Sequence, residues 1–376
     1  MTALLLYVGI LALKAVGAWT YTKRYAAPSA NDRLPTVTIC QPILSGDPDL
    51  EDALADNLNA LPDVAFLWLI DEEDEEAARV TGRLTDRYQS IAIRVLRCSS
   101  PPDGINPKLF KLEAARQVIS PGTLLVLDDD TRLGRVGLEA LNSALQRGEL
   151  ATGLPYYRTA QSGFGNLLAQ FVNNNAALTY LPILNLAPPV SINGMCYALN
   201  TETLAQLHGF APLLRHLTDD LAVADSVRNC GGRIIQTPFP QEVATTIGSF
   251  RQYIAQMHRW YVFALLLMRR RGILLTGLMV LFYALPPLLL WTGIVQTALL
   301  PRDSMIVMLF GTLLVRSLLL SSLQRRLTGQ SRHHLALSIA SELLQPAHLI
   351  HALLVKSIRW RTRHYRVYEN DRFVSI

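Results

Sequence analysis

Two patterns of apolar positions divide the chain. Between residues 36 and 127, short apolar runs recur: "TVTIC" (36–40), "AFLWLI" (65–70), "IAIRVL" (91–96) and "TLLVL" (123–127). Short continuous runs of this kind predict strands buried on both faces. Between them, "LEDALADNLNAL", "EEAARVTGRLTDRY" and "PKLFKLEAARQVI" place apolar residues at helical spacing. Strand–helix alternation predicts an α/β fold, a mostly parallel sheet with helices on both faces. Such sheets bind ligands outside the carboxyl ends of their strands, near a switch in strand order.

Elsewhere the apolar runs are longer. Residues 3–21 come close to the ~20 residues that a helix needs to cross a bilayer. A cleaved leader is the rival reading, but no basic region precedes the run and no small-residue cleavage site is evident. Lys23 and Arg24 follow it, which predicts an anchor helix with its N-terminus outside and residue 23 onward inside. Lys14, within the run, counts against a span, although it can face other helices or snorkel. Residues 273–300 and 305–323 can each span, the first with a kink at Pro286–Pro287. The run 335–355 is interrupted by Glu342, Gln345, Pro346, His348 and His351. If it spanned, the six Lys and Arg residues from Lys356 to Ile376 would lie outside, against the charge rule. A bent re-entrant or interfacial segment is therefore expected.

The resulting organisation is an N-terminal transmembrane anchor (1–24), a cytoplasmic α/β domain (25–248), an amphipathic interfacial helix (249–272), C-terminal membrane segments (273–355) and a basic cytoplasmic tail (356–376). Composition agrees with it. Half of the 376 residues are hydrophobic and 17% are charged, too apolar for an ordinary soluble enzyme. Bases gather at Arg269–Arg271, at Arg325–Arg326 and after Lys356, beside apolar segments. That placement suits the cytoplasmic face of a membrane, and no basic-aromatic array or DNA-reading motif points to nucleic acid. Four scattered cysteines, with no zinc spacing, read as reduced and mostly buried thiols.

The acids fall where a ligand would lie. Asp71 ends the second predicted strand, and Asp128, Asp129 and Asp130 follow the fourth. Crowded carboxylates repel unless one keeps a proton or a cation sits between them. Oxygen-only donors favour Mg²⁺ or Mn²⁺, and an Asp-x-Asp pair can hold an ion that in turn holds a diphosphate. A solvated turn explains Asp128–Asp130 equally well when they are taken alone. Glu72, Glu73, Glu75 and Glu76 are accounted for by the helix dipole. In "INPKLFKLEAA" (105–115), Pro107 suits a first helical turn, and Lys108 can add its charge to the amides that hold a phosphate, or be a plain surface lysine. "LTDDLAVADSV" (217–227) opens a helix at Thr218–Asp219–Asp220, where capping competes with a carboxylate that deprotonates an acceptor hydroxyl. In the 249–272 segment, Gln256, Arg259 and Trp260 keep a Q-x-x-R-W spacing, with Gln256 and Arg259 on one helical face. Arg can neutralise a leaving diphosphate and Trp can wall an acceptor pocket, although both also serve as interface anchors.

Taken in order, Asp71, the N-P-K at 106–108, the D-x-D at 128–130, "NGMCYAL" (193–199), the T-D-D at 218–220 and the Q-x-x-R-W at 256–260 form a set. It resembles the inverting, membrane-bound glycosyltransferases of families 2 and 21. The likeness is greatest to the ceramide glucosyltransferase-like branch, which includes bacterial enzymes acting on hopanoid lipids. "IRWRTRHYRV" (358–367) is similar to that branch's tail. The resemblance implies a Rossmann-like GT-A fold and a role for each residue. Asp71, Lys108, Gln256, Arg259 and Trp260 would bind the sugar nucleotide or acceptor, Asp128 and Asp130 would hold the metal, and Asp220 would be the general base. Two departures stand out: Asp219–Asp220 replaces the usual Glu-Asp pair, and Asp129 adds a third acid.

The implied reaction moves one sugar, glucose or N-acetylglucosamine, from a UDP-sugar to a lipid hydroxyl at the cytoplasmic face of a bacterial inner membrane. Mg²⁺ or Mn²⁺ would assist, and the partners would be membrane and lipid acceptor. The stretch 164–190 would help to present the lipid, with Asn173–Asn175 either binding hydroxyls or forming a plain polar loop. A processive polysaccharide synthase shares the acids and the Q-x-x-R-W but needs a channel, for which three or four membrane segments are few. A non-catalytic scaffold would have had no reason to keep every acid.

Overall fold

The computed structural model describes residues 1–25, 36–244, 246–269, 271–360 and 363–375. They form two compact units from interleaved stretches. A sheet unit takes Ala27–Pro155, Pro189–Thr246 and Arg359–Ile376, and a helical unit takes Met1–Ala26, Tyr156–Pro188 and Ile247–Ile358.

The sheet contains β1 (Val37–Pro42), β2 (Ala65–Asp71), β3 (Ile93–Cys98), β4 (Thr123–Leu127), β5 (Thr131–Arg132), β6 (Leu150–Tyr157), β7 (Cys196–Asn200) and β8 (Ile234–Val243). Their order is β3-β2-β1-β4-β7-β6-β8-β5. The first four are parallel, β7 runs antiparallel to β4 and β6, and β5 antiparallel to β8. The strands read as unbroken apolar runs because alternate side chains enter two separate cores. Ile39, Phe66, Trp68, Ile70, Leu125 and Leu127 pack against one set of helices, including Leu50–Ala60 and Glu75–Arg87. Cys40, Leu67, Leu69, Leu124 and Val126 pack against the other, including Pro107–Ala115 and Asp219–Asn229. Each fully buried leucine-sized side chain contributes about 1.5–3 kcal/mol. The chain moves outward from β1 through β2 to β3 and then returns to β4 on the other side of β1. Strand order therefore switches between β1 and β4, the position at whose carboxyl ends such sheets bind their ligands. Cys40, Cys98 and Cys196 are buried free thiols, and Cys230 is an exposed one.

Among the described residues the helical unit has three helices long and apolar enough to cross a membrane: Thr2–Lys23, Ile273–Leu299 and Asp303–Thr328. The second contains a π-helical turn, Val280–Ala284, just before Pro286 and Pro287. Neither proline has an N–H, so the Phe282 carbonyl has no helical donor in the α or the π register. Lys14 fills that gap: its Nζ, buried in the unit, donates to Phe282 O at 2.9 Å. Nearby, Arg316 Nε donates to Glu342 Oε2 at 2.7 Å and Arg316 Nη1 to Ser338 Oγ at 2.7 Å. Residues 335–355 break into Leu335–Leu343 and Gln345–Leu354, of nine and ten residues. Each is far short of the ~20 residues required to span.

Two stretches differ from the sequence reading. Residues 156–188, expected inside the 25–248 domain, pack in the helical unit. Asn173–Asn175 are helical rather than a loop, and their side chains are engaged internally. Asn173 pairs with both backbone groups of Tyr157 at 2.7 and 3.0 Å, and Asn174 Nδ2 donates to Ser338 Oγ at 2.8 Å. Helical periodicity shows that one face is buried but does not show against what. The expected basic tail instead forms an antiparallel hairpin, Arg363–Glu369 with Arg372–Ser375, in the sheet unit.

Candidate functional site

Acids and lysines converge at the switch point of the sheet unit. The Pro107–Ala115 helix starts on Asn106, whose Oδ1 accepts from the amides of Lys108 and Leu109 at 3.0 and 3.2 Å. Pro107, with φ preset, occupies the first turn. This start aims Lys108 and Lys111, three residues apart on one helical face, at the strand ends.

Lys108 is the hub. Its Nζ lies 2.7 Å from Asp128 Oδ1 and 2.9 Å from Asp219 Oδ2, and donates to Gly194 O at 2.7 Å. Burial alone would lower its pKa, but Asp128 and then Asp219 raise it well above the usual lysine value, so the cation is firmly held. Lys111 makes the corresponding link on the other side: its Nζ lies 3.0 Å from Asp71 Oδ1 and donates to Ile43 O at 2.8 Å. Asp129 is buried, and its Oδ2 accepts from the Leu44 amide at 2.9 Å. It thus clamps the end of β1 to the end of β4. Asp130 Oδ1 accepts from Thr131 Oγ1 at 3.1 Å.

The 193–196 turn closes the cluster. Asn193 Nδ2 donates to Gly153 O and Gln236 Oε1, and the Cys196 amide donates to Asn193 O. A Cβ on Gly194 would stand 3.3 Å from both Asp219 Oδ2 and Asp220 Cβ, so glycine permits this close approach. Asp219 and Asp220 begin the Asp219–Asn229 helix, but Thr218 does not cap it with its side chain. Asp220 Oδ1 accepts from the Leu221 amide at 2.8 Å. Burial first, then the neighbouring Asp219, push the Asp220 carboxyl up to about 7. A carboxylate poised there can take a proton near neutral pH. The Tyr197 hydroxyl is fully buried with no hydrogen-bond partner among the described residues, and burial raises its pKa well above the ordinary value.

Among the described residues no cluster of three or more His, Cys, Asp or Glu could hold a metal by itself. Mg²⁺ and Mn²⁺ at nucleotide sites do not need one, since one or two carboxylates and the substrate's phosphates suffice. Asp128 and Asp130 supply hard oxygen donors of that kind, and the Asp128 side chain is 34% exposed. The donor set fits a cation shared with a bound diphosphate.

Of the residues expected from sequence, Asp71, Lys108, Asp128, Asp130 and Asp220 lie at the carboxyl ends of the strands in the sheet unit or on helices bound to them. The sequence reading does not single out Lys111 or the clamp made by Asp129, and it includes Asn106 and Gly194 only as members of the N-P-K and "NGMCYAL" motifs. For Lys111, the helical spacing from Lys108 was the available signal. Gln256, Arg259 and Trp260 belong to the helical unit, on the Phe250–Arg269 helix. Arg259 Nη2 donates to Gln256 Oε1 at 2.9 Å. Trp260 stacks on Phe171 at 6.2 Å between ring centroids and meets Tyr157 edge-on at 6.1 Å.

The family model for glycosyl transferase family 21 matches residues 2–373. A solved structure, the mannosyltransferase PcManGT from Pyrobaculum calidifontis in complex with GDP-Man and Mn²⁺, is similar in fold. Its TM-score is 0.50 at 14% identity, over 94% of this chain and 98% of that one. No curated protein matches the chain. A likeness at that identity speaks for the fold alone, whereas the family match runs across both units, from the first spanning helix to the C-terminal hairpin. This chain belongs to glycosyltransferase family 21 and is a membrane-associated glycosyltransferase.

Proposed function

We propose that the enzyme transfers one sugar, with inversion, from a UDP-sugar to a hydroxyl of a membrane lipid. Glucose or N-acetylglucosamine is the sugar of this reading, and ceramide, a hopanoid or a similar lipid the acceptor, at the cytoplasmic face of the membrane. The observation that supports it best is the meeting of Asp128 and Asp219 on Lys108, with Asp220 beside them. A cation between two acids, next to a third whose proton is loosely held near pH 7, suits transfer from a diphosphate to a hydroxyl.

Asp220 takes the proton of the acceptor hydroxyl. The freed oxygen attacks the anomeric carbon from the face opposite the diphosphate, and the bond from that carbon to the phosphate oxygen breaks. The electron pair leaves with the diphosphate, whose charge Lys108 offsets. A divalent ion held by Asp128 and Asp130 would add charge stabilisation to the same leaving group. Asp71 and Lys111 border the nucleotide end of the site. Gln256, Arg259 and Trp260 enter on the family resemblance, Arg259 as a second cation for the diphosphate and Trp260 as an acceptor wall.

The test is purified enzyme with UDP-glucose, UDP-N-acetylglucosamine and GDP-mannose against ceramide, hopanoid and diacylglycerol acceptors, read by mass spectrometry. One sugar per lipid is expected, with Asp220→Asn inactive but still binding UDP. A polymeric product would support a processive synthase instead. Absence of both transfer and metal-dependent nucleotide binding would support a scaffold.

A further inference from the structure

The C-terminal hairpin reaches the two residues that precede the acid pair. Its turn carries Asn370, 5% exposed. Asn370 Oδ1 accepts from Thr218 N at 2.7 Å and from Thr218 Oγ1 at 2.8 Å. Asn370 Nδ2 donates to Thr218 O at 3.4 Å, and the Asn370 carbonyl accepts from the Leu217 amide at 2.7 Å. A threonine before a helix ordinarily turns its hydroxyl onto the helix's own amides. Thr218 makes no such bond, because its hydroxyl is engaged 152 residues away in sequence. From the other side, Asn106 Nδ2 donates to His216 O and Leu217 O at 3.0 and 3.1 Å. Residues 216–218, which lead directly into Asp219–Asp220, are therefore gripped by two asparagines. One opens the helix that carries Lys108, and the other sits in the turn of the Arg363–Glu369 and Arg372–Ser375 hairpin. The hairpin is stiffened by the cross-strand Val367–Phe373 pairing and the edge-on Tyr365–Phe373 contact at 5.5 Å.

We propose that Asn370 is a positioning residue for the Asp219–Asp220 pair, and that the C-terminal hairpin is a clasp that sets where these carboxylates stand relative to Lys108. The inference rests on the reading of Asp220 as the base. The clasp touches the backbone at Thr218 and so acts through it on the first turn of the helix. Thr218 N–H is a buried donor that no residue of its own helix satisfies. Removing Asn370 Oδ1 frees both the amide and the hydroxyl, and the helix start turns to find other partners.

The experiment uses the full-length enzyme in detergent or nanodiscs, with Asn370→Ala, Asn370→Asp and Asp220→Asn. It measures kcat, KM, the pH–rate profile, Mn²⁺-dependent binding of UDP and GDP, and thermal stability. Asn370→Ala should lower kcat about 10- to 100-fold, the loss expected of a misplacement near 1 Å. Donor KM should stay within about twofold, because Asp71, Lys111 and Asp130 do not rest on the clasp. Asn370→Asp keeps the accepting oxygen and should restore most of kcat at high pH. Its added negative charge should move the acidic limb of the pH profile upward, which a purely structural contact would not do. Wild-type kcat in Asn370→Ala overturns the proposal. So does an Asn370→Asp profile with an unmoved limb, and that arm decides the matter if Asn370→Ala does not fold. An active Asp220→Asn enzyme removes the base assignment itself. An inactive Asp220→Asn enzyme together with wild-type Asn370→Ala removes only the clasp.

Discussion

Lys108 Nζ stands 2.9 Å from Asp219 Oδ2, and this contact distinguishes two adjacent acids. Asp219 pairs with the lysine, which it shares with Asp128. Among the described residues Asp220 has no such partner at contact distance, and burial and Asp219 raise its pKa to about 7. Asp220 can therefore exchange a proton near neutrality. The active form of a base is the deprotonated one. Turnover should fall as pH drops through about 7, approaching tenfold per unit below it. In Asp219→Asn the second cause of the shift is gone, and the acidic limb should move to lower pH. A limb that stays put in that variant, or moves up, would contradict the assignment.

The same shift has a stability consequence with a definite sign. A carboxyl whose folded pKa is raised binds its proton more tightly in the folded state. Its contribution to stability is full below the ordinary value of 3.8 and is lost as pH rises through about 7. Asp220→Asn should therefore be more stable than wild type at pH 8, on the order of 1 kcal/mol, and indistinguishable from it or weaker at pH 5. Thermal unfolding at the two pH values checks this.

Lys108→Met should be the most damaging single change in the sheet unit. It leaves Asp128 and Asp219 facing each other without a cation, and Gly194 O without its donor. Breaking a buried ion pair by removing one partner costs about 3–5 kcal/mol, and the lower end applies because Asp128 is one-third exposed. Adding Asp219→Asn to Lys108→Met should recover part of the loss. A double-mutant cycle with no coupling would show that the contact carries no energy.

Metal removal separates Asp128 and Asp130 from the other acids. EDTA should abolish transfer, and Mn²⁺ or Mg²⁺ should restore it. Asp130→Ala should raise the metal concentration needed for half activity by about 10-fold or more, whereas Asp71→Asn should act mainly on nucleotide KM. Full activity in EDTA would take the ion out of the reaction.

Much of this arrangement is local enough to read from the sequence. Strands β1 to β4 announce themselves as apolar runs, and their parallel packing follows from the helices between them. Asp71 and Asp128 to Asp130 then fall at strand ends by position alone. What escapes a one-dimensional reading is partner choice. Lys108 looks like a surface lysine until Asp128 and Asp219 are brought to it from 20 and 111 residues away. The tail looks like a charged membrane-facing strip because its arginines dominate the composition, while Asn370, a single polar residue in a turn, makes the contact. The stretch 164–190 is conspicuously apolar, but apolar composition is as compatible with the sheet's core as with the helical unit in which Gly163–Asn175 packs.

Lys14 is the case in which a residue that weakens one reading of the sequence is explained by another part of it. A lysine within an apolar helix counts against a membrane span, and two prolines in a second helix count against its continuity. Each accounts for the other: Pro286 and Pro287 leave Phe282 O without a donor, and Lys14 Nζ occupies the place at 2.9 Å. Charge balance does not require Lys14, because Arg316 and Glu342 already pair with each other at 2.7 Å. Its function here is donation. Lys14→Met should therefore lower stability in detergent by about 1–3 kcal/mol, the cost of a buried acceptor left unmade. In a Pro286→Ala background the restored amide can serve Phe282 O through the ordinary helical bond, and the same Lys14→Met change should cost much less. Equal losses in the two backgrounds would mean that the lysine holds the helices by some other contact.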